Sequence, residues 1–352
     1  MTGFRLPAGG LVARDRPLPF RFDGASFTGL SGDTLASALL ASGVSVVGRS
    51  FKLHRPRGVV AAGSEEPNAL MELRAGARRE PNRPATTIEL YGGLEAASQN
   101  RWPSLRFDLL GVNDLLAPLL PAGFYYKTFK WPASFWERVY EPAIRRAAGL
   151  GRAASEADPD RYEIVHAHCD VLVVGSGPAG LAAACAAAKA GARVVLAEGD
   201  FAFGGGTLLE PGWTAWREAA LESLGEAPEA TLLARTHVVG AYDGGVFAAV
   251  ERVADHAPRP ELDEVRERLW VIRARRAVLA TGAVERLVAF PGNDRPGVLE
   301  PGERLRQRFQ NGKDRMAELP AVAIRHRRVA DKALHRTQVA RRALQEDASG
   351  PG

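Results

Sequence analysis

Cysteine is scarce: 352 residues hold two, Cys169 and Cys185. So few thiols exclude a disulfide-rich secreted scaffold. Their sixteen-residue separation is neither CxxC nor CxxxxC, which excludes the redox pair of a disulfide reductase; both are expected to be packed thiols. A [2Fe–2S] centre needs four thiolates, or two with two histidines, and the first 168 residues contain no cysteine. No iron–sulfur cluster is expected. The seven histidines show no HExxH or comparable ligand spacing, so no metal site is expected, and His54 and His237 read as loop or surface residues.

Long apolar runs are few as well. Residues 171–188 are eighteen uncharged positions, yet they carry three glycines and a proline at turn spacing and are rich in alanine rather than leucine. That pattern is a strand, turn and helix, so no membrane partner is expected. The N-terminus lacks a basic segment followed by an apolar one, which points to a cytoplasmic location. A concentrated basic face is missing too. The formal charge is +5, but the segment from Pro301 onward holds twelve Lys/Arg against six Asp/Glu, leaving the first 300 residues one charge negative. No nucleic-acid binding by the body is therefore expected.

What is present divides the chain. Phe20-Arg21-Phe22-Asp23-Gly24-Ala25-Ser26-Phe27 alternates about an Asp-Gly turn and predicts a hairpin. TLASALLAS then predicts a helix capped by Asp33 or Ser31 and ended by Gly43. Strand, turn, strand, helix and the basic loop 48–58 is the order expected of a β-grasp, ferredoxin-like domain, with a free-standing α+β module of another kind as the alternative; a further strand pair is expected at 69–74 and 86–91. The basic loop could hold a phosphate; a solvated or domain-bridging role fits its five cations better. Phe124, Tyr125, Tyr126, Phe129, Trp131, Phe135, Trp136 and Tyr140 place eight of 26 aromatics within 17 residues. A packing wedge between domains is expected there, with a partner-subunit interface as the alternative. A short helix, EPAIRRAAGLG, and the polar linker RAASEADPDRYE follow.

From Cys169 the pattern becomes strand, glycine loop, helix, strand: a Rossmann-like βαβ unit whose parallel strands should be buried on both faces. In VLVVGSGPAG, Gly175 permits the sharp turn, Gly177 lets the backbone approach a pyrophosphate and Gly180 lets helix and strand pack closely. The helix N-terminus favours phosphate. Glu198, eighteen residues after Gly180, is placed for the adenosine ribose, and an acid there favours NAD or FAD over NADP. Gly205, in the GGGT run, and Thr281-Gly282, at the end of RAVLATG, offer further backbone approaches. NAD and FAD share this loop and acid, and both readings stay open.

Several stretches, in order, resemble alpha subunits of heterotetrameric sarcosine oxidase: GRSFKLHRPRG, AAGSEEPNAL, SQNRWPS, GVNDLLAPLLPAGFYYKTFKWP, CDVLVVGSGPAGLAAA and ATGAVERLVAFPGNDRPGV. In related amine and opine oxidoreductase subunits a cysteine-rich cluster loop follows RPRG; here Ala61-Ala62-Gly63-Ser64-Glu65-Glu66-Pro67 holds that place. The resemblance implies a complex that oxidatively demethylates sarcosine to glycine, releases hydrogen peroxide and passes a one-carbon unit to tetrahydrofolate. It implies a beta subunit and smaller subunits as partners, FMN shared with the beta subunit and NAD in this chain. Its contacts would be Gly175, Gly177, Ala179, Gly180, Glu198, Asp200, Thr207 and Val238, with no catalytic residue. An inactive truncated remnant and a cluster-free electron-transfer subunit of another amine or opine dehydrogenase are the alternatives. The expected domains are 15–100 (β-grasp), 101–165 (bridging segment), 166–298 (incomplete dinucleotide-binding domain) and 299–352 (basic tail). The resemblance stops after Val298, and a frameshift or gene truncation is the expected reason.

Overall fold

The computed structural model describes residues 5, 11–115, 117, 131–147, 149–257, 264–284 and 290–299. Two compact units divide the chain, Met1–Lys313 and Asp314–Gly352; the second lies outside the described residues, and with it the expectation for the basic tail.

The predicted hairpin is β1 (Ala13–Phe22) against β2 (Ala25–Ser31). Asp23 and Gly24 both take positive φ, 49° and 80°, which the tight turn requires. The Asp23 carboxylate accepts the backbone N–H of Ser98 at 2.8 Å and its hydroxyl at 2.7 Å, fastening the turn to a later strand. Helix α1 (Leu35–Ala41) follows, and its cap corrects the sequence reading: Thr34 is the N-cap, in a reciprocal box with Ser37. Asp33 instead accepts the Leu30 N–H at 2.8 Å and the Ser37 hydroxyl at 2.7 Å, so it braces the turn before the helix. Gly43, at φ +86°, ends the helix as expected.

A small ribbon joins β3 (Gly48–Arg49) to β4 (Pro56–Arg57). Strands β5 (Leu70–Leu73), β6 (Glu80–Pro84) and β7 (Leu94–Ser98) complete a sheet ordered β2-β1-β7-β5-β6, with β1 and β7 parallel. Phe20, Phe22, Leu35, Leu39, Met71 and Leu94 form its core. The strand expected at 86–91 is not formed, and β6 is the partner of β5. The backbone of that segment bonds to the helix start instead: Leu35 N–H donates to Ile88 O at 2.9 Å and Leu90 N–H to Asp33 O at 2.8 Å. Its alternating apolar residues cover α1 rather than extend the sheet.

The bridging segment ends in helix α2 (Glu141–Ala147). Phe124, Tyr125, Tyr126 and Phe129 lie outside the described residues, while Trp131 (83% exposed), Phe135 and Trp136 face outward. A packing wedge is thus not what these described aromatics make. Polar residues after 152 lead into β8 (Arg161–Val174), which starts inside the predicted linker.

Then come helix α3 (Pro178–Lys189), β9 (Val194–Ala197), α4 (Thr214–Glu226) and β10 (Ala230–Leu233). A meander of β11 (Thr236–Tyr242), β12 (Val246–Arg252) and β13 (Val265–Leu279) returns to pair with β8 in parallel. The sheet order is β10-β9-β8-β13-β12-β11. Val173, Leu181, Ala184, Leu196 and Leu224 pack between sheet and helices, while Leu172, Val195, Ala249 and Ile272 pack in a second cluster. Burial on both faces holds for β9, and in the βαβ part of β8 Leu172 and Val173 are buried with Val171 and Val174 half-buried. The carboxyl end of β13 is open by contrast, with Arg275–Ala277 and Leu279 exposed. Pairing with β12 stops at Arg273, so nothing among the described strands flanks that edge.

Buried ion pairs join the two domains. Arg266, 1% exposed, reaches Asp255 at 3.1 Å, Asp160 at 3.0 Å and the Glu80 carboxylate. Arg74 and Arg83 of the first domain also bind Asp255, at 2.9 and 2.8 Å. Burial alone would raise the Asp255 carboxyl, but Arg83, Arg74 and Arg266 outweigh it and hold it well below the usual range.

Candidate dinucleotide site

Strand β8 runs straight into the glycine loop, and the carboxyl ends of β8, β9 and β13 meet there. Ligands of open α/β sheets bind outside such strand ends. The three glycines have different surroundings. Gly175 stands at φ +94°, and a Cβ on it would lie 2.5 Å from Ala280 O. A Cβ on Gly180 would lie 1.9 Å from Gly175 O, so helix and loop touch through backbone. Gly177 differs: a Cβ there would meet nothing within 4 Å. It is the N-cap of α3, with Ala179 exposed in the first turn, where N–H groups have no helical acceptor. Open space, helix dipole and glycine backbone coincide at this one position, which fits a pyrophosphate. Gly205, at φ +50°, packs its Cα side against Gly177 and continues the same backbone surface.

Glu198 lies at the end of β9, as predicted. Its Oε2 accepts the Ser176 N–H at 2.8 Å and the Ser176 hydroxyl at 2.5 Å, and its Oε1 accepts the Asp200 N–H at 3.0 Å. Ser176 Oγ in turn accepts Gly204 N–H at 2.8 Å. The acid therefore ties the glycine loop, the strand end and the GGGT run together. A carboxylate has about four acceptor positions, so room remains for a ribose hydroxyl.

Glu198, Asp200 and Thr281 line one cleft of about 390 Å³. Its opposite wall is the first domain: Thr34, Ala62–Glu65, Thr86, Thr87 and Glu89. Arg252 ties the two walls together, donating to Thr87 O at 2.7 Å and Gly199 O at 2.8 Å. Burial and the neighbouring Arg83 lower its affinity for a proton. Arg235 adds a paired contact with Glu89 at 2.5 and 2.9 Å. His237 also lines the cleft, where partial burial and then Arg252 hold its imidazole below the ordinary value.

The other predicted residues do not line this cleft, Gly175, Gly177, Ala179, Gly180 and Gly205 among them. Thr207 is buried, its hydroxyl donating to Gly204 O at 2.7 Å, so it holds the GGGT turn. Val238 packs into the core beside Leu233 and Ile272. Gly282, at φ +70°, follows Thr281 at the cleft edge. Sequence reasoning missed Arg252. His237 is solvent-exposed, as the surface reading expects, and stands on β11 in the cleft wall. His54 lies in a loop, as expected, but is buried there, with Nδ1 2.8 Å from Asp108 Oδ2.

The basic loop takes its domain-bridging role. Arg55 binds Asp114 at 2.9 Å, Arg57 binds Asp294 and its carbonyl, and Arg49 binds the Leu105 and His54 carbonyls. Cys169 is buried, and burial followed by Asp170 pushes its thiol up to about 11, which fits a packed thiol. Among the described residues no group of three or more His, Cys, Asp or Glu could hold a metal ion, and no helix is long and apolar enough to cross a membrane.

Residues 15–101 match the family described as a 2Fe-2S iron-sulfur cluster binding domain, and residues 169–318 match pyridine nucleotide-disulphide oxidoreductase. The second match runs past Val298. Sarcosine oxidase subunit alpha of Rhizobium meliloti (strain 1021) is 57% identical over 86% of this chain and 31% of its own length. The subunit of the same name from Corynebacterium sp. (strain U-96) is 38% identical over 84% of this chain and 27% of its own length. This chain thus spans about a third of the length of the curated relatives it matches. Among solved structures, L-proline dehydrogenase from P. horikoshii superimposes with a TM-score of 0.52 at 20% identity, covering 86% of this chain and 48% of that one, which shows a shared fold. The chain is an oxidoreductase-family polypeptide that belongs with the sarcosine oxidase alpha subunits, pairing a ferredoxin-type domain with a dinucleotide-binding domain.

Proposed function

We propose that this chain is the dinucleotide-holding part of a sarcosine-oxidase-type alpha subunit and takes NAD at the Gly175–Gly180 loop. The observation that carries the reading is Gly177: an N-cap glycine with open space where a side chain would sit, on the loop whose Ser176 is hydrogen-bonded to Glu198 of the cleft wall. The loop backbone and the α3 N-terminus would receive the pyrophosphate, and Glu198 the ribose. Thr281 and the 62–65 loop would flank the bound molecule. When bound, a nicotinamide dinucleotide can supply hydride transfer; the residues of this chain bind it, orient it and narrow its access to water. The amine oxidation itself would belong to a beta subunit, with FMN shared between the two chains and smaller subunits completing the complex. The complex would convert sarcosine to glycine and hydrogen peroxide and pass the one-carbon unit to tetrahydrofolate.

Calorimetric titration tests this directly. NAD is expected to bind the full chain with a dissociation constant below about 1 mM, an interaction stronger than about −4 kcal/mol. No heat or spectral change at that concentration would overturn the NAD reading, and tight uptake of FAD in its place would reassign the loop to a flavin. Sarcosine-dependent peroxide from the chain combined with a family beta subunit tests the wider role.

A further inference from the structure

The loop between β4 and β5 is built around an anion, and that anion is a side chain of the protein. Glu66 is 2% exposed. Its Oε2 accepts the N–H groups of Val60 and Ala61, both at 2.7 Å, and its Oε1 accepts those of Asn68 at 2.7 Å and Ala69 at 3.0 Å. Four backbone donors from both ends of the loop converge on one carboxylate. Concave groups of successive N–H donors are the means by which backbone holds phosphates and iron–sulfur clusters. A buried carboxylate is costly unless its acceptors are filled, and here two donors reach each oxygen.

The matched cluster-binding family spans this loop, yet residues 15–101 contain no cysteine. The two thiols of the chain lie in β8 and α3. A [2Fe–2S] cluster does not fit these residues, because no thiolate is available to hold iron. We propose that Glu66 takes the place of the cluster as the organising anion of the loop, and that it thereby makes the loop a rigid wall of the dinucleotide cleft instead of an electron-carrying centre. Residues Ala62–Glu65 of the same loop face the cleft, and the Thr86 hydroxyl pins Gly63 O at 2.6 Å. Glu66 touches no ligand itself. It is a positioning residue, and its effect on binding rests on the dinucleotide reading above.

The test uses the full chain and Glu66→Gln, which keeps the shape but leaves one carbonyl oxygen and one NH2 group where two acceptors stood. Amide hydrogen exchange should show all four N–H groups protected in the wild type. In the variant, one of the two pairs should exchange about tenfold faster or more, the scale of one lost hydrogen bond to a charged group. Amides of β7 should be unchanged, and Glu72→Gln on β5 should leave all four loop amides protected. Unaltered protection in Glu66→Gln would overturn the anion role, whether or not NAD binds. Where the wild type binds NAD, the variant should bind it about tenfold more weakly, and equal affinity would overturn the wall role. Anaerobic incubation with ferrous iron and sulfide should give no cluster absorbance; a stoichiometric [2Fe–2S] spectrum in the wild type would overturn the substitution.

Discussion

Arg266→Ala should loosen the junction between the two domains more than any exposed charge deletion. The guanidinium is almost fully buried and spans Glu80 of the first domain, Asp160 before β8 and Asp255 of the second. Its removal leaves Asp160 paired with Arg78 at 2.7 Å, and Asp255 with Arg74 and Arg83. These carboxylates lose a buried counter-charge while remaining nearly inaccessible to water. Removing one member of such a buried network costs about 3–5 kcal/mol. At about 2–4 °C per kcal/mol for a domain of this size, Tm should fall by about 6–20 °C. Arg193→Ala is the control, because its pair with Asp170 lies at the surface, where solvent screens it, and its loss should leave stability nearly unchanged. Chemical denaturation would supply the energy, and limited proteolysis within 152–160 would report domain separation. A change below about 1 kcal/mol in Arg266→Ala, with unaltered cleavage, would refute the view that this network holds the domains together.

The same network predicts acid sensitivity. Asp255 titrates below its unfolded value of about 3.9, so its contribution is present above that pH and is lost as pH falls toward the folded value. The gap in denaturation midpoint between wild type and Asp255→Asn should therefore stay constant above about pH 5 and narrow progressively below about pH 4, and a gap independent of pH down to about pH 2 would count against the assignment. In the glycine loop the second and third glycines should separate packing from binding. Gly180→Ala drives a methyl into a backbone carbonyl and should cost at least about 1–3 kcal/mol. Gly177→Ala, at φ −60°, should fold normally but weaken NAD binding about tenfold or more, since the methyl would occupy the space left for phosphate. Wild-type affinity in Gly177→Ala would remove the pyrophosphate from that position.

Much of the fold was legible because its signals are local. The Asp23-Gly24 turn, Gly43 at the end of α1 and the strand–loop–helix at Gly175 all depend on backbone conformations that few residues tolerate. The misreadings share another cause. Residues 86–91 alternate like a strand, but their backbone partners lie at the start of α1, which no local pattern reveals. Asp33 looks like a cap and lies one residue early, because Thr34 completes the box with Ser37. His54 carries no surface mark either way, and only Asp108, 54 positions later, explains its burial.

The candidate site divides along the same line. Sequence by itself determined the strand–glycine loop–helix, the acid at the end of β9 and the absence of cluster thiolates, since each follows from residue type at fixed spacing along one βαβ unit or from composition. Tertiary structure decided what faces them. Arg252 and His237 reach the cleft through the register of the meander, and the 62–65 wall arrives from a domain more than one hundred residues upstream. Glu66 is the clearest case: in sequence it is one of two adjacent acids in a loop, Glu65 and Glu66. It becomes the centre of that loop only because both ends fold back so that their N–H groups point at one buried carboxylate, a convergence that spacing alone does not encode.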